Sequence, residues 1–277
     1  MESSPQNVKL QDVADEAGVS IATASRALSG KKRVSAKTAQ TVLEAAVRLG
    51  YHVDPIARAL REGSTRTIGM IVPVIGNPFF SELIASVEDE LRQVGLELII
   101  SDSHGDIEHE AQRLRTLVAR RVDGILIVSH DSLGSVHAIR EAMQSVPVIQ
   151  IDRKVDRIQG DFVGVDNYGG MRLILEHLAE RGVRRVVLAS SDNANAAGRT
   201  RREAYETLVE ELGLNPDKHV IGNFSIETGR EAAEELLARE SLPDAIVAGS
   251  DLIAIGLIAR LKQSEVRVPS DVLVACN

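Results

Sequence analysis

A small all-α headpiece followed by an α/β core, built as two doubly wound parallel-sheet halves, is the fold class this sequence predicts. Three observations predict it. The first 50 residues carry three apolar stripes at helical spacing, separated by a glycine turn and a Gly/Lys/Arg loop. From Thr67 onward, short apolar runs alternate with amphipathic stretches. Charge divides at the same place: residues 1–66 hold 10 Lys and Arg against 7 Asp and Glu, and the rest hold 22 against 33. A chain of 277 residues has the length of about two domains of roughly 150 residues each. Its 44% hydrophobic and 26% charged content is that of a globular protein and excludes a fibre or a disordered tail. The apolar runs fall far short of the roughly 20 residues a membrane helix needs, and the first residues lack the apolar segment of a signal peptide. No membrane association or export is expected. The single cysteine, Cys276, cannot form an internal disulfide, which fits a reducing compartment and points to the cytoplasm.

In the headpiece (1–50), Leu10, Val13, Ala14 and Ala17 fall on one helical face. Gly18 suits a positive φ at the helix end, and Ser20 can cap a second helix over about 21–28. That helix points Ala24, Ala27 and Leu28 inward and leaves Ile21, Ala22, Ser25 and Arg26 outward. Ser35 caps a third helix with Ala39, Val42, Leu43, Ala46 and Val47 as its expected buried stripe, and Gly50 ends it. Two helices joined by a short glycine turn, with a third completing a core, make a helix-turn-helix. The second helix then enters the major groove, where Arg26 can pair bidentately with guanine and Ile21 and Ala22 can meet a thymine methyl. Ser20, Thr23, Ser25, Lys31 and Lys32 suit phosphates, which position without reading sequence. The helices alone equally admit a plain three-helix bundle with solvated charges. Residues 51–66 read as a linker holding a short helix that starts near Pro55 and orders only against something else.

In the core, strands are expected over 68–72, 96–101, 124–128, 146–151 and 162–165, then 185–189, 219–222, 245–248 and 272–275. Helices lie between most of them, over about 79–94, 107–120, 132–144, 169–181, 199–212, 228–239 and 252–263. Continuous apolar strands joined by such helices imply parallel sheets covered on both faces. The helix-free connection 152–161 suggests a crossover between two halves, 67–160 and 161–277. Ligands in such folds bind beyond the carboxyl ends of the strands, here the loops after Val72, Ser101, Ile151, Ala189 and Ala248.

Candidate chemistry is mostly of the binding kind. The Gly164 to Gly170 stretch lacks the Lys-Ser/Thr of a phosphate loop, and no G-x-G-x-x-G follows a strand. No cofactor is expected. His104 and His109, near Asp102, Asp106, Glu108 and Glu110, read as a solvated loop and an acidic helix start rather than a metal cluster. Ser190, Ser191 and Asp192 lack a nucleophile elbow, and Cys276 is expected inside the fold. No catalytic set assembles, so an enzyme is not expected. The post-strand loops carry ligand-holding groups instead. Phe79 and Phe80 can stack on a sugar ring or base, with core filling accounting for at least one of them. Asp152 and Arg153 can bond ligand hydroxyls or carboxylates. Arg199, Arg201 and Arg202 open a helix, as partners of an anion or polar ligand or simply in solvent.

The stretches "VKLQDVADEAGVSIATASRALSG", "VSAKTAQTVLEAAVRLGY", "ARALREGSTRTIGMIVP", "NPFF", "RRVDGILI", "VIQIDR", "VGVDNYGG", "AIVAGSDLIAIG" and "VRVPSDVLV" occur in the order seen in the lactose-repressor (LacI/GalR) family of transcription regulators, which the whole chain resembles. The resemblance implies a headpiece, a hinge helix over 51–66, and an effector-binding core of the periplasmic-binding-protein type, acting as a homodimer on near-palindromic operator DNA. Ile21 and Ala22 match the family's specificity positions, Arg26 its base-reading arginine, and Leu60 the hinge leucine that wedges into the minor groove, with Ala57 and Arg58 beside it. Phe79, Phe80, Asp152, Arg201, Phe224 and Ser250 fall on effector positions. Departures are visible. The family's Ala-Asn-Asp is Gly249-Ser250-Asp251 here, and its hinge Pro-Asn is Val53-Asp54 with Pro55 one place later. After "VRVPSDVLV" the family continues with a glycine-aromatic-Asp-Asp segment and a return into the first half; this chain stops at "ACN", which implies an incomplete second half, lowered stability and weakened effector binding.

The expected function is therefore sequence-specific transcriptional regulation, as a repressor controlled by a small carbohydrate or carbohydrate derivative. The alternatives are a solute-binding protein of the same core fold, which a signal peptide would favour, and a truncated fragment without function.

Overall fold

A computed structural model describes residues 8–28, 34–51, 59, 63–191 and 196–277. The chain forms two compact units, Met1–Thr65 and Arg66–Asn277.

The first unit holds α1 (Leu10–Glu16), α2 (Ile21–Leu28) and α3 (Ala36–Leu49). Gly18, at φ +64°, reverses the chain, and the Val19 N–H closes onto the Ala14 carbonyl at 2.9 Å. Ser20 Oγ then accepts the Thr23 N–H at 3.2 Å, and Ser35 Oγ accepts that of Thr38 at 3.1 Å. The core is made of small side chains, Val13, Ala14, Ala24, Ala27, Val42, Ala45 and Ala46, which let the three helices approach closely. Leu43 and Val47 are a correction to the expected stripe. They are 46% and 81% exposed, because α3 turns Val42, Ala45 and Ala46 inward, and positions one residue further on lie about 100° round the helix.

In the second unit, β1 (Thr67–Val72), β2 (Glu97–Asp102), β3 (Gly124–Ile127), β4 (Val148–Ile151) and β5 (Phe162–Val163) form a parallel sheet in the order β2-β1-β3-β4-β5. Between them run α4 (Pro78–Gln93), α5 (Ile107–Ala119) and α6 (Val136–Met143). Gln150 and Ile151 pair with Phe162 and Val163, so the 152–161 connection returns to the same sheet and the chain changes sheets at 164–166. The second sheet follows, with α7 (Asn167–Glu180), β6 (Arg185–Ser191), α8 (Ala196–Glu211), β7 (Asn215–Pro216), β8 (Val220–Gly222), α9 (Ile226–Leu237), β9 (Ala245–Ala248), α10 (Asp251–Gln263) and β10 (Leu273–Cys276). Its order is β10-β9-β6-β7, with β8 also on β6, all parallel.

Each strand feeds two cores, as a period of two requires. Val186 and Leu188 of β6 face one side with Leu175, Tyr205 and Leu208, while Val187 and Ala189 face the other with Leu236, Ile253 and Leu257. On that second side α9 and α10 cross at Gly229 and Gly256. A Cβ on Gly229 would fall on the Ile253 carbonyl and one on Gly256 on that of Ile226, so the two backbones touch. Cys276, expected inside, is exposed, because β10 is the edge strand of its sheet. No described helix is long and apolar enough to cross a membrane.

Candidate functional site

Two surfaces carry the residues singled out in the sequence. On the first unit, α2 buries Ala24 and Ala27, which leaves Ile21, Ala22 and Arg26 exposed along one side and Thr23 and Ser25 half-buried at its edges. Ser20 and Thr23 stand together at the helix start, their hydroxyls 2.9 Å apart. Arg26 lies along its own helix, Nε donating to the Ala22 carbonyl at 2.9 Å, so reaching a base edge requires it to swing outward. Lys31, Lys32, Ala57, Arg58 and Leu60 lie outside the described residues.

On the second unit, all strands of both sheets being parallel, their carboxyl ends and the helix starts beyond them face one cleft between two lobes. It has two compartments, of about 760 Å³ and 360 Å³, which share Asn77, Phe80, Arg153 and Phe224 in their walls. The smaller one brings together Phe79, Phe80, Asp152, Arg201, Phe224 and Ser250, contributed by five separate segments of both lobes. Phe80 is 2% exposed and closes the end of a core with Met70 and Val72, while Phe79 is 42% exposed and meets it edge to face at 5.2 Å. Core filling thus claims one ring and leaves the other exposed.

Polar groups around these rings are held in place from behind. Asp152 sits in the left-handed region at φ +62°, its N–H bonded to the Val163 carbonyl at 2.8 Å, which turns the side chain out of β4 toward the cleft. Arg201 donates Nε to Asn167 Oδ1 at 2.7 Å and a second nitrogen to the Gly249 carbonyl, with its guanidinium 5.5 Å from the Phe224 ring centre. Ser250 caps α10, its Oγ accepting the Ile253 N–H at 3.4 Å. Arg153 lies 5.6 Å from the Phe80 ring centre and reaches the Ser129 carbonyl at 3.3 Å. Burial pushes the Asp152 carboxyl above the usual carboxylate range, against the pull of Arg153 and Arg201. Burial also lowers both arginines from their ordinary value, Asp152 opposing it in each case.

The other two arginines at the start of α8 face elsewhere. Arg199 bonds Asp156 at 2.7 Å and Ser132 at 3.0 Å, both in the first lobe, and Arg202 pairs with Glu206 of its own helix at 3.7 Å. Asn77, His104, His130, Ser191 and Asn223 line the larger compartment and were not singled out as ligand-holding. Their signal was positional, since each stands at or just beyond a strand end or helix start. Glu110, read as part of a solvated helix start, is fully buried; its Oε2 accepts the His130 N–H at 2.7 Å, and burial raises its pKa. Among the described residues, no group of three His, Cys, Asp or Glu side chains is placed to hold a metal ion.

Comparison with known proteins agrees over both units. Residues 65–276 match the family described as periplasmic binding proteins and sugar binding domain of LacI family, and residues 9–54 match bacterial regulatory proteins, lacI family. The chain is 32% identical over 267 residues to the HTH-type transcriptional repressor PurR of Vibrio cholerae serotype O1, covering 96% of this chain and 80% of the relative. It is 31% identical to the ribose operon repressor of Escherichia coli K12, covering 96% and 81%. Among solved structures, a lac repressor dimer bound to operator and the anti-inducer ONPF superposes with a TM-score of 0.87 at 25% identity, over 97% of this chain and 82% of that one. A complex of the transcriptional regulator CelR with cellobiose gives 0.68 at 29% identity, over 96% and 81%.

Proposed function

The chain belongs to the LacI family of bacterial regulatory proteins, and from that premise we propose that α2 reads an operator while the cleft between the lobes binds the effector, a sugar or sugar derivative. The protein is a DNA-binding transcriptional repressor rather than an enzyme. It acts as a homodimer on operator DNA, and its place of work is the cytoplasm, where that DNA is. In this reading Arg26 pairs with a guanine, Ile21 and Ala22 exclude wrong bases, and Ser20, Thr23, Ser25, Lys31 and Lys32 hold phosphates. Leu60, with Ala57 and Arg58, enters the minor groove at the operator centre. A ring of the effector stacks on Phe79, its hydroxyls donate to Asp152, and Arg201 and Ser250 donate to its oxygens. Phe80 and Phe224 wall it in.

One observation carries the effector half of this reading: six residues spread from position 79 to position 250 converge on one cavity with both lobes in its wall. Regulation follows from that placement. A ligand touching both lobes stabilises one closure state over the other, and operator affinity shifts by the ligand's differential affinity for the two states.

Selection of random duplex DNA by the purified chain at two salt concentrations tests it. A palindrome with a flexible central step, bound more weakly as salt rises, is expected. Absence of any enriched site from folded protein would overturn the reading.

A further inference from the structure

We infer that the effector is an acidic sugar, and that the larger compartment of the cleft holds its acid group; the inference rests on the effector-binding reading above. The two compartments differ in charge. The smaller is walled by three carboxylates, Asp152, Asp166 and Asp251, together with Arg153 and Arg201. Among the described residues, the larger has no carboxylate in its wall, and its ionisable groups are Arg153, His104 and His130. Two long helices also begin at it, one from each lobe: α4 behind its cap Asn77 and α9 behind its cap Ser225. Both direct the positive ends of their backbone dipoles there.

A second, independent observation points to a ligand. Arg153 is 7% exposed, yet its Nε has no hydrogen-bond partner; Nη1 reaches only the Ser129 carbonyl at 3.3 Å, and Asp152 stays 3.7 Å from Nε. Facing the same compartment from the other lobe, Ser191 is 2% exposed and its Oγ is likewise unpartnered. Buried polar atoms left without partners are costly and uncommon. Glu110 approaches Arg153 from behind, but burial drives it toward its neutral form, so it offsets the guanidinium less than an ionised carboxylate would. Asp102 sits behind His104, 3.4 Å from its Nδ1.

A compartment whose described wall is rich in donors and holds no carboxylate fits a group that only accepts hydrogen bonds. A carboxylate or a phosphate is such a group, and a neutral hydroxyl is not. The sugar ring then occupies the smaller compartment, where Asp152 can accept from its hydroxyls, and the acid group extends past Phe80 and Phe224, which line both spaces.

The test is calorimetric titration of the full chain with matched triplets: glucose, glucuronate and glucose 6-phosphate; galactose, galacturonate and galactose 6-phosphate; ribose, riburonate and ribose 5-phosphate. In at least one triplet an acid member is expected to bind about tenfold or more tighter than its neutral parent, with affinity falling as NaCl is raised. Which acid wins separates carboxylate from phosphate. Arg153→Gln should cancel the acid's advantage, bringing it to within about threefold of its own parent measured on the same variant. Should that variant not fold, His104→Gln at the more exposed rim should weaken the acid alone. Equal binding of parent and acid in every triplet that binds would overturn the inference, and so would failure of every acid to bind a protein that still selects an operator. Failure of operator selection as well would overturn the regulator reading with it.

Discussion

Arg199 Nη2 and Asp156 Oδ2 lie 2.7 Å apart and belong to different lobes, α8 of the second and the β4–β5 connection of the first. Ser132 Oγ, also of the first lobe, takes another guanidinium nitrogen at 3.0 Å. One side chain therefore ties the two lobes together directly.

Arg199→Ala is expected to favour the open state. Asp156 is 63% exposed, so solvent screens the pair and its worth is about 0.5–1 kcal/mol, a shift of roughly two- to fivefold in the closed population. Small-angle scattering should show a larger radius of gyration for the unliganded variant, with the difference from wild type shrinking as salt is raised. Identical scattering would show that the clasp does not set the equilibrium.

Arg26→Ala should lower affinity by about 1–3 kcal/mol at one base pair of the selected operator and relax the preference there. Competition binding with single-base variants reads this directly. A uniform loss over all sequences would make Arg26 a phosphate contact.

Glu110 predicts a pH effect on stability. Because burial raises its pKa, the folded chain takes up this proton at higher pH than the unfolded chain does. The stability it contributes is complete below the unfolded carboxylate range and lost as pH rises through the folded pKa. Glu110→Gln cannot ionise and still offers an acceptor to the His130 N–H. Its melting temperature, relative to wild type, should therefore rise as pH is raised from acid to neutral. Parallel curves would rule out Glu110 as a titrating group in this window.

Ile255 and Ile258, exposed and three residues apart on α10, share one side of that helix and suit covering by a second copy of the chain. Ile255→Asp should give monomers in sedimentation velocity and weaken binding to a full palindrome by about tenfold or more, while half-site binding stays unchanged. An unaltered dimer would move the interface elsewhere.

Ser191 and Gly198 form a steric pair, since a Cβ on Gly198 would overlap Ser191 Oγ. Gly198→Ala should lower the melting temperature by several degrees, on the scale of an overpacked site worth about 1–3 kcal/mol. Adding Ser191→Gly should restore most of it. If the second substitution gives no rescue, the overlap is relieved by backbone movement instead.

The alternation of strands and helices was legible because each strand is an apolar run and each helix repeats on its own period, both local properties. What escaped is decided at a distance. Glu110 is buried by a loop 20 residues on, and Arg199 finds partners 67 and 43 residues earlier in the chain. Leu43 and Val47 show a different gap: periodicity identifies a helix with apolar positions but not which flank of the stripe meets the core. In the cleft, the residues with distinctive chemistry stood out, whereas Asn77, Ser191 and Asn223 are of types found in any loop and became visible only once the strand ends were brought together.

The left-handed backbone of Asp152 has a consequence for how this site can vary. Aspartate, asparagine and glycine tolerate that conformation, and other side chains strain it by about 1 kcal/mol or more. An alanine scan would therefore report a distorted loop as though it were a lost carboxylate. Asparagine changes the charge and keeps the bend, so for both the experimenter and natural drift it is the open path from this ligand preference to another.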